Sequence, residues 1–175
     1  MKVTLIRHTS VNVPKGVCYG QTDVPLNDTF CEEAEIVAKS LSGKTFDKVF
    51  VSPLSRCFKL SDHCGYVDAT RDDRLKELDF GDWEMKRFDE IADPRLEEWF
   101  NDFLNVPVTG GESFMMQYAR VASFLDELNQ QNYKHVAVFA HGGVLICARV
   151  YAGELELNEA FRELSPYGAV IEIDI

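Results

Sequence analysis

Lys2-Val3-Thr4-Leu5-Ile6-Arg7-His8 is a short, apolar, β-prone run that ends on two basic side chains, and its layout recurs twice further along the chain. Lys48-Val49-Phe50-Val51-Ser52 leads through Pro53-Leu54-Ser55 to Arg56, and His135-Val136-Ala137-Val138-Phe139-Ala140 leads to His141-Gly142-Gly143. Continuous runs of Val, Ile, Leu and Phe bounded by turn residues read as strands buried on both faces. Helical patterns separate them. Ala34, Val37, Ala38 and Leu41 mark one face of a helix over residues 32–41, which Gly43 ends. Residues 54–64 follow the second strand as a helix with Pro53 at its start, and Gly142-Gly143 opens another that runs to residue 151. The alternation implies an α/β three-layer sandwich, with a mostly parallel central sheet and helices on both faces.

The remaining segments fit that plan. Phe114, Tyr118, Val121, Leu125 and Leu128 share one face, which predicts a helix over 112–128 with Glu112 or Ser113 at its positive end. Residues 65–69 read as a third strand, 86–105 as mostly helical with a break at Pro94, and 169–175 as a closing strand. Residues 8–28 carry Gly, Pro and Asn but no periodicity, a long loop of the kind that serves function. No repeat or linker interrupts residues 1–175, which read as a single domain.

Composition narrows the function. With a formal net charge of −11, nucleic acid and anionic membrane surfaces are disfavoured partners. An anionic substrate would need the few cations gathered in one place. No apolar run is long enough to span a bilayer, and Met1-Lys2 leads straight into the first strand without a secretory pattern. The five cysteines form no CxxC pair, so they read as reduced packing thiols of a cytoplasmic protein and not as a metal site.

The three strand ends carry the chemistry. Ligands of parallel α/β sheets bind beyond the carboxyl ends of the strands. Arg7, His8, Arg56 and His141 are thereby brought together. Two guanidinium forks suit a dianionic phosphate, and Gly142 with Gly143 lets backbone N–H groups approach at a helix N-terminus. Imidazole can attack phosphorus and form a covalent intermediate. His8, between Arg7 and the long loop, reads as the nucleophile, and His141 as a neighbour that stabilises the transferring group. The leaving oxygen needs a proton, for which Glu77 in Leu75-Lys76-Glu77-Leu78-Asp79-Phe80-Gly81-Asp82-Trp83-Glu84 is the leading candidate ahead of Asp79, Asp82 and Glu84. Gln21 and Thr22 lie on the long loop, where substrate contact and turn capping are equally open.

Six motifs in order resemble the histidine phosphatase superfamily, the phosphoglycerate-mutase-like fold. They are Leu5-Ile6-Arg7-His8, the Tyr19-Gly20-Gln21-Thr22-Asp23 run with Pro25-Leu26, Ser52-Pro53-Leu54-Ser55-Arg56, the Glu77–Glu84 segment, Gly110-Gly111-Glu112-Ser113, and Ala140-His141-Gly142-Gly143-Val144. The resemblance covers nearly the whole chain. It implies phosphorylation of His8, a phosphate pocket of Arg7, Arg56 and His141, proton donation by Glu77, and no metal or other cofactor. Cys18-Tyr19-Gly20-Gln21-Thr22-Asp23 looks like the α-ribazole phosphatase branch, which acts on α-ribazole 5′-phosphate in the nucleotide-loop steps of cobalamin synthesis. The chain departs from the pattern at Thr9, where a glycine is usual, and at Pro14, where the family carries an asparagine phosphate ligand. Asn12 is the nearest side chain of that type. Met85 replaces another common glycine.

The expected activity is hydrolysis of a small phosphomonoester. A mutase or broad-specificity sugar-phosphate or phosphoglycerate phosphatase is the alternative, and a non-catalytic phospho-ligand module is the remote one. Mutases of this fold generally carry inserted segments for which 175 residues leave little room. Whether two copies pair as a homodimer is left open by the sequence.

Overall fold

The computed structural model describes the backbone of residues 1–175 and every side chain except those of Ala160 and Phe161. Five strands form one sheet: β1 (Lys2–Arg7), β2 (Lys48–Val51), β3 (Thr70–Arg71), β4 (His135–Ala140) and β5 (Val170–Asp174). Their spatial order is β3-β2-β4-β1-β5. All neighbours run parallel except β5, which lies antiparallel on β1.

Side chains alternate across the pleat and feed two cores. Val3 and Leu5 of β1 join Val136, Val138 and Ala140 of β4 on one face. There they meet α4 (Phe114–Asn129) and α5 (Gly142–Tyr151) through Phe114, Val121, Phe124, Leu125, Leu145 and Ile146. Ile6, Ala137 and Phe139 point to the opposite face. They pack on α1 (Phe30–Leu41) and α2 (Ser55–His63) through Val37, Leu41, Cys57 and Leu60. The expected three-layer arrangement is therefore present. No helix among the described residues is long and apolar enough to cross a membrane.

Three sequence expectations need correction. Residues 65–69 form a turn, not a strand. Gly65 takes φ +92°, Ala69 N–H donates to the Tyr66 carbonyl, and pairing with β2 begins only at Thr70. Residues 86–105 hold just one short α-helix, α3 (Arg95–Asn101), and a 3-10 turn at Phe88–Glu90. Aromatic packing replaces helical pattern there. Phe80, Phe88, Leu96 and Trp99 close over Trp83 and Cys18 as a small separate cluster. Pro53 also stands outside α2, whose N-cap is Leu54.

Candidate active site

The sheet register assembles the site. In the parallel pairing of β1 with β4, Arg7 lies opposite Ala140, so the residues that follow are His8 and His141. Their ring centroids are 5.2 Å apart. On the other side of β4, Val51 lies opposite Phe139 and Ser52 follows it. The Ser52 hydroxyl then lies 2.7 Å from His141 Nε2. Arg56, in the first turn of α2, is completely buried. It donates from Nη1 to the Thr22 carbonyl at 3.0 Å and from Nη2 to the Gly20 carbonyl. Arg7 donates from Nη1 to the Ser165 carbonyl.

Neither arginine has a carboxylate partner among the described residues. Each leaves a buried Nε–H without an acceptor. Buried charge without a counter-charge is costly. Two such cations beside two histidines are suited to a dianionic oxygen ligand.

His8 is 2% exposed. Its Nδ1 lies 2.7 Å from the Thr9 carbonyl. A carbonyl only accepts, so Nδ1 carries the proton and Nε2 keeps its lone pair. Burial, and then the positive charge of Arg56, lowers the His8 pKa from 6.5 to about 3. The Thr9 hydrogen bond opposes this in part, and Arg7 adds to the lowering. Burial, Arg56 and His8 likewise hold His141 well below the usual imidazole range. Both rings are neutral near pH 7.

That neutrality has a stability consequence. Between about pH 3 and 6.5 the unfolded chain protonates a histidine that the folded chain keeps neutral. The unfolded state then binds more protons, so acid favours unfolding. The ligand-free protein should keep this contribution above pH 6.5 and lose it progressively as pH falls toward 3. Thermal midpoints measured from pH 7.5 to 4.5 check this, and His8→Phe should flatten the profile. An unchanged slope in that variant would exclude His8 as a source.

Glu77 faces His8 across a cavity of about 300 Å³ that both residues line. Its Oε1 accepts from Leu78 N–H and from Gln117 Nε2, both at 2.9 Å, and its Oε2 accepts from Gly143 N–H at 3.2 Å. A Cβ on residue 143 would lie 2.4 Å from Glu77 Oε1, so glycine is required for this close approach. Arg120 of α4 fixes the Glu77 segment. It donates to the carbonyls of Arg74, Lys76 and Glu77 at 2.7, 2.6 and 2.9 Å, and its Nε pairs with Glu112 at 2.8 Å. Ser113 caps α4 by accepting from Met116 N–H, which frees Glu112 for this pairing.

Glu84 does a different task. It accepts from the N–H groups of Gly20 and Gln21 at 3.0 and 2.8 Å and from the Thr22 hydroxyl at 2.7 Å. It thereby pins the loop whose carbonyls hold Arg56. Gln21 Nε2 donates to the Glu77 carbonyl at 3.2 Å. Gln21 and Thr22 are thus engaged with the scaffold and do not line the cavity. Arg7, His8, Glu77 and Gly143 do line it, with Arg56 and His141 buried beside them. Gly142 instead lies against Arg7, whose Cζ would be 3.2 Å from an added Cβ. Asn12 is exposed and outside the cavity lining. Met85 holds φ +63°, a left-handed conformation that glycine adopts more easily. Cys18 also lines the cavity, but burial and then Glu84 push its thiol up to about 12, which leaves it a poor nucleophile.

Gln117 and Arg120 were not selected from the sequence, and Glu84 was named there only as a rival proton donor. A signal existed for Gln117, a polar residue within the buried stripe Phe114, Val121, Phe124 and Leu128 of α4. Arg120 and Glu84 act across 43 to 64 positions of chain, which no local pattern reveals.

Apart from Gln117, the remaining wall of the cavity is apolar, with Val17, Leu78, Phe80, Phe88 and Leu164 beside Tyr19 and Tyr167. Comparison with known proteins places this architecture. The adenosylcobalamin/alpha-ribazole phosphatase of Escherichia coli is 33% identical over 93% of this chain and 85% of its own. Phosphoserine phosphatase 1 of Hydrogenobacter thermophilus is 27% identical over 79% of this chain and 69% of its own. The crystal structure of the alpha-ribazole phosphatase from Shigella flexneri superposes with a TM-score of 0.86 at 27% identity, covering 100% of this chain and 91% of that one. The sequence profile of the histidine phosphatase superfamily, branch 1, matches residues 3–175. The chain belongs to that superfamily and is a phosphatase.

Proposed function

We propose that this phosphatase hydrolyses α-ribazole 5′-phosphate through a phosphohistidine formed at Nε2 of His8. The observation that carries the reading is the division of the cavity into a cationic floor and an apolar wall. The floor suits the phosphoryl group. The wall suits a flat, uncharged aromatic base more than a small polar body. Phosphoserine and 3-phosphoglycerate also carry a carboxylate, which needs a second cation. Arg7 is the single cationic residue among the described residues that line the cavity, and the phosphate itself engages it.

The chemistry proceeds in two steps. His8 Nε2 donates its lone pair to phosphorus while the phosphorus–oxygen bond to the ribose breaks, and Glu77 gives its proton to the departing oxygen. Arg7, Arg56 and His141 hold the phosphoryl oxygens and spread their charge. Water then attacks the phosphohistidine and returns its proton to Glu77. The phosphorus–nitrogen bond breaks, and its electron pair returns to Nε2. The products are α-ribazole and inorganic phosphate. Five free cysteines and the acidic surface support a cytoplasmic enzyme with a small-molecule substrate.

Steady-state hydrolysis of α-ribazole 5′-phosphate beside phosphoserine, 3-phosphoglycerate, sugar phosphates and mononucleotides tests the assignment. The expected result is a kcat/KM for α-ribazole 5′-phosphate at least about tenfold above the others, the discrimination that one or two lost apolar contacts produce. A preference for phosphoserine or phosphoglycerate would overturn the substrate and leave the phosphatase standing.

A further inference from the structure

Two tyrosines that the reaction does not use stand over the two arginines that it does. The Arg7 guanidinium carbon lies 4.2 Å from the centroid of the Tyr167 ring, and that of Arg56 lies 5.6 Å from the centroid of Tyr19. The two phenol oxygens are hydrogen-bonded at 2.7 Å across 148 positions of chain. Tyr167 also packs on the His8 ring, with centroids 5.5 Å apart.

Each tyrosine sits on a segment anchored to the group it covers. Arg56 donates to the carbonyl of Gly20, the neighbour of Tyr19. Arg7 donates to the carbonyl of Ser165, and Gly168 N–H donates to the His8 carbonyl at 3.0 Å. Arg7, Tyr167, Tyr19 and Arg56 therefore form one connected chain of contacts that runs from the buried Arg56 to the solvent edge of the cavity, where Tyr167 is 40% exposed.

The choice of tyrosine has a physical reason. An arginine is commonly held in place by a carboxylate, but a carboxylate here would cancel the positive charge that attracts a phosphate. An aromatic face holds a guanidinium through its quadrupole and leaves the net charge in place. The hydroxyl bond then ties the two faces into one frame.

We propose that Tyr19 and Tyr167 act as a single positioning pair, aligning Arg56 and Arg7 for phosphate without neutralising them. This rests on the reading of Arg7 and Arg56 as phosphate ligands.

The test is calorimetric binding of inorganic phosphate to the full chain and to Tyr19→Phe, Tyr167→Phe and the double variant. Phenylalanine keeps both rings and removes the hydroxyl bond. Each single variant should weaken phosphate about three- to tenfold, the range for loss of one hydrogen bond. The double variant should be no weaker than either single one, because both lose the same bond. kcat/KM for phosphomonoester should fall in parallel, because the same two arginines hold the phosphoryl group in the ground state and in the transition state. Tyr167→Leu, which also removes the ring over Arg7, should weaken phosphate more than Tyr167→Phe does. Additive losses, unchanged affinity, or a fall in kcat alone would each overturn the pair. Absence of phosphate binding by the unsubstituted protein would instead overturn the reading of the arginines, and the pair with it.

Discussion

Replacing His8 by alanine is expected to remove turnover and the phosphoenzyme together, with kcat down on the order of 10⁴–10⁶-fold as for loss of other covalent nucleophiles. The reasoning starts from the register of β1 on β4, which brings two histidines side by side under two unpaired arginines. Only His8 lines the cavity; His141 is completely buried and engaged by Ser52. Only for His8 does a backbone carbonyl fix the proton on Nδ1 and leave Nε2 free. Alanine keeps Arg7 and Arg56, so inorganic phosphate should still bind. That retention separates loss of the nucleophile from loss of the pocket. Protein labelled with radioactive substrate and quenched in alkaline detergent should carry alkali-stable, acid-labile phosphate in the unsubstituted chain and none in His8→Ala. Label that survives in the variant, or full residual activity, would move the nucleophile elsewhere.

Much of this site was legible in the sequence because strand ends are local features. Arg7-His8, Ser52 to Arg56 and His141-Gly142-Gly143 each follow an apolar run, and the rule that parallel sheets bind ligands beyond their carboxyl ends collects them. The order of the strands was not legible. Nothing near His8 in sequence reveals that β4, and not β2, is its neighbour, and the 5.2 Å contact with His141 depends on that order. In one dimension Glu77 stood foremost among the carboxylates, but the tasks of Asp79 and Glu84 were not legible. In three, Glu77 faces the cavity, Asp79 accepts from Gly81 N–H, and Glu84 holds the loop of Gly20 and Thr22. Residues 86–105 misled for a related reason. Trp99 and Phe100 do fall on α3, but Phe88 and Phe103 on either side of it are held by ring contacts with Phe100 and Trp99. Tertiary packing overrides a short helical pattern when so few residues separate the breaks.

Glu77→Gln should divide substrates by their leaving groups. An alkoxide departing from ribose needs a proton, and general-acid help is worth about 10²–10⁴-fold. Nitrophenolate leaves without one, so formation of the phosphoenzyme from nitrophenyl phosphate should slow by less than about tenfold. The hydrogen bonds indicate which oxygen is free to deliver the proton. Oε1 already accepts from Leu78 N–H and Gln117, whereas Oε2 accepts only the longer bond from Gly143 N–H, so Oε2 has the capacity to carry it. Glutamine can keep its oxygen at the Oε1 position, but its amide then meets the Gly143 N–H donor to donor. A stability loss of about 1 kcal/mol follows, small enough to leave the fold intact. In the proposed mechanism Glu77 also takes the proton of the attacking water, so the second step should slow for both substrates and steady-state rates would hide the difference. Rapid-quench measurement of phosphoenzyme formation isolates the first step. With nitrophenyl phosphate, Glu77→Gln should accumulate the phosphoenzyme to nearly one equivalent, while an alkyl phosphate should scarcely form it. Equal slowing of the first step on both substrates would assign the proton to another group and leave Glu77 as a holder of Gln117 and Gly143.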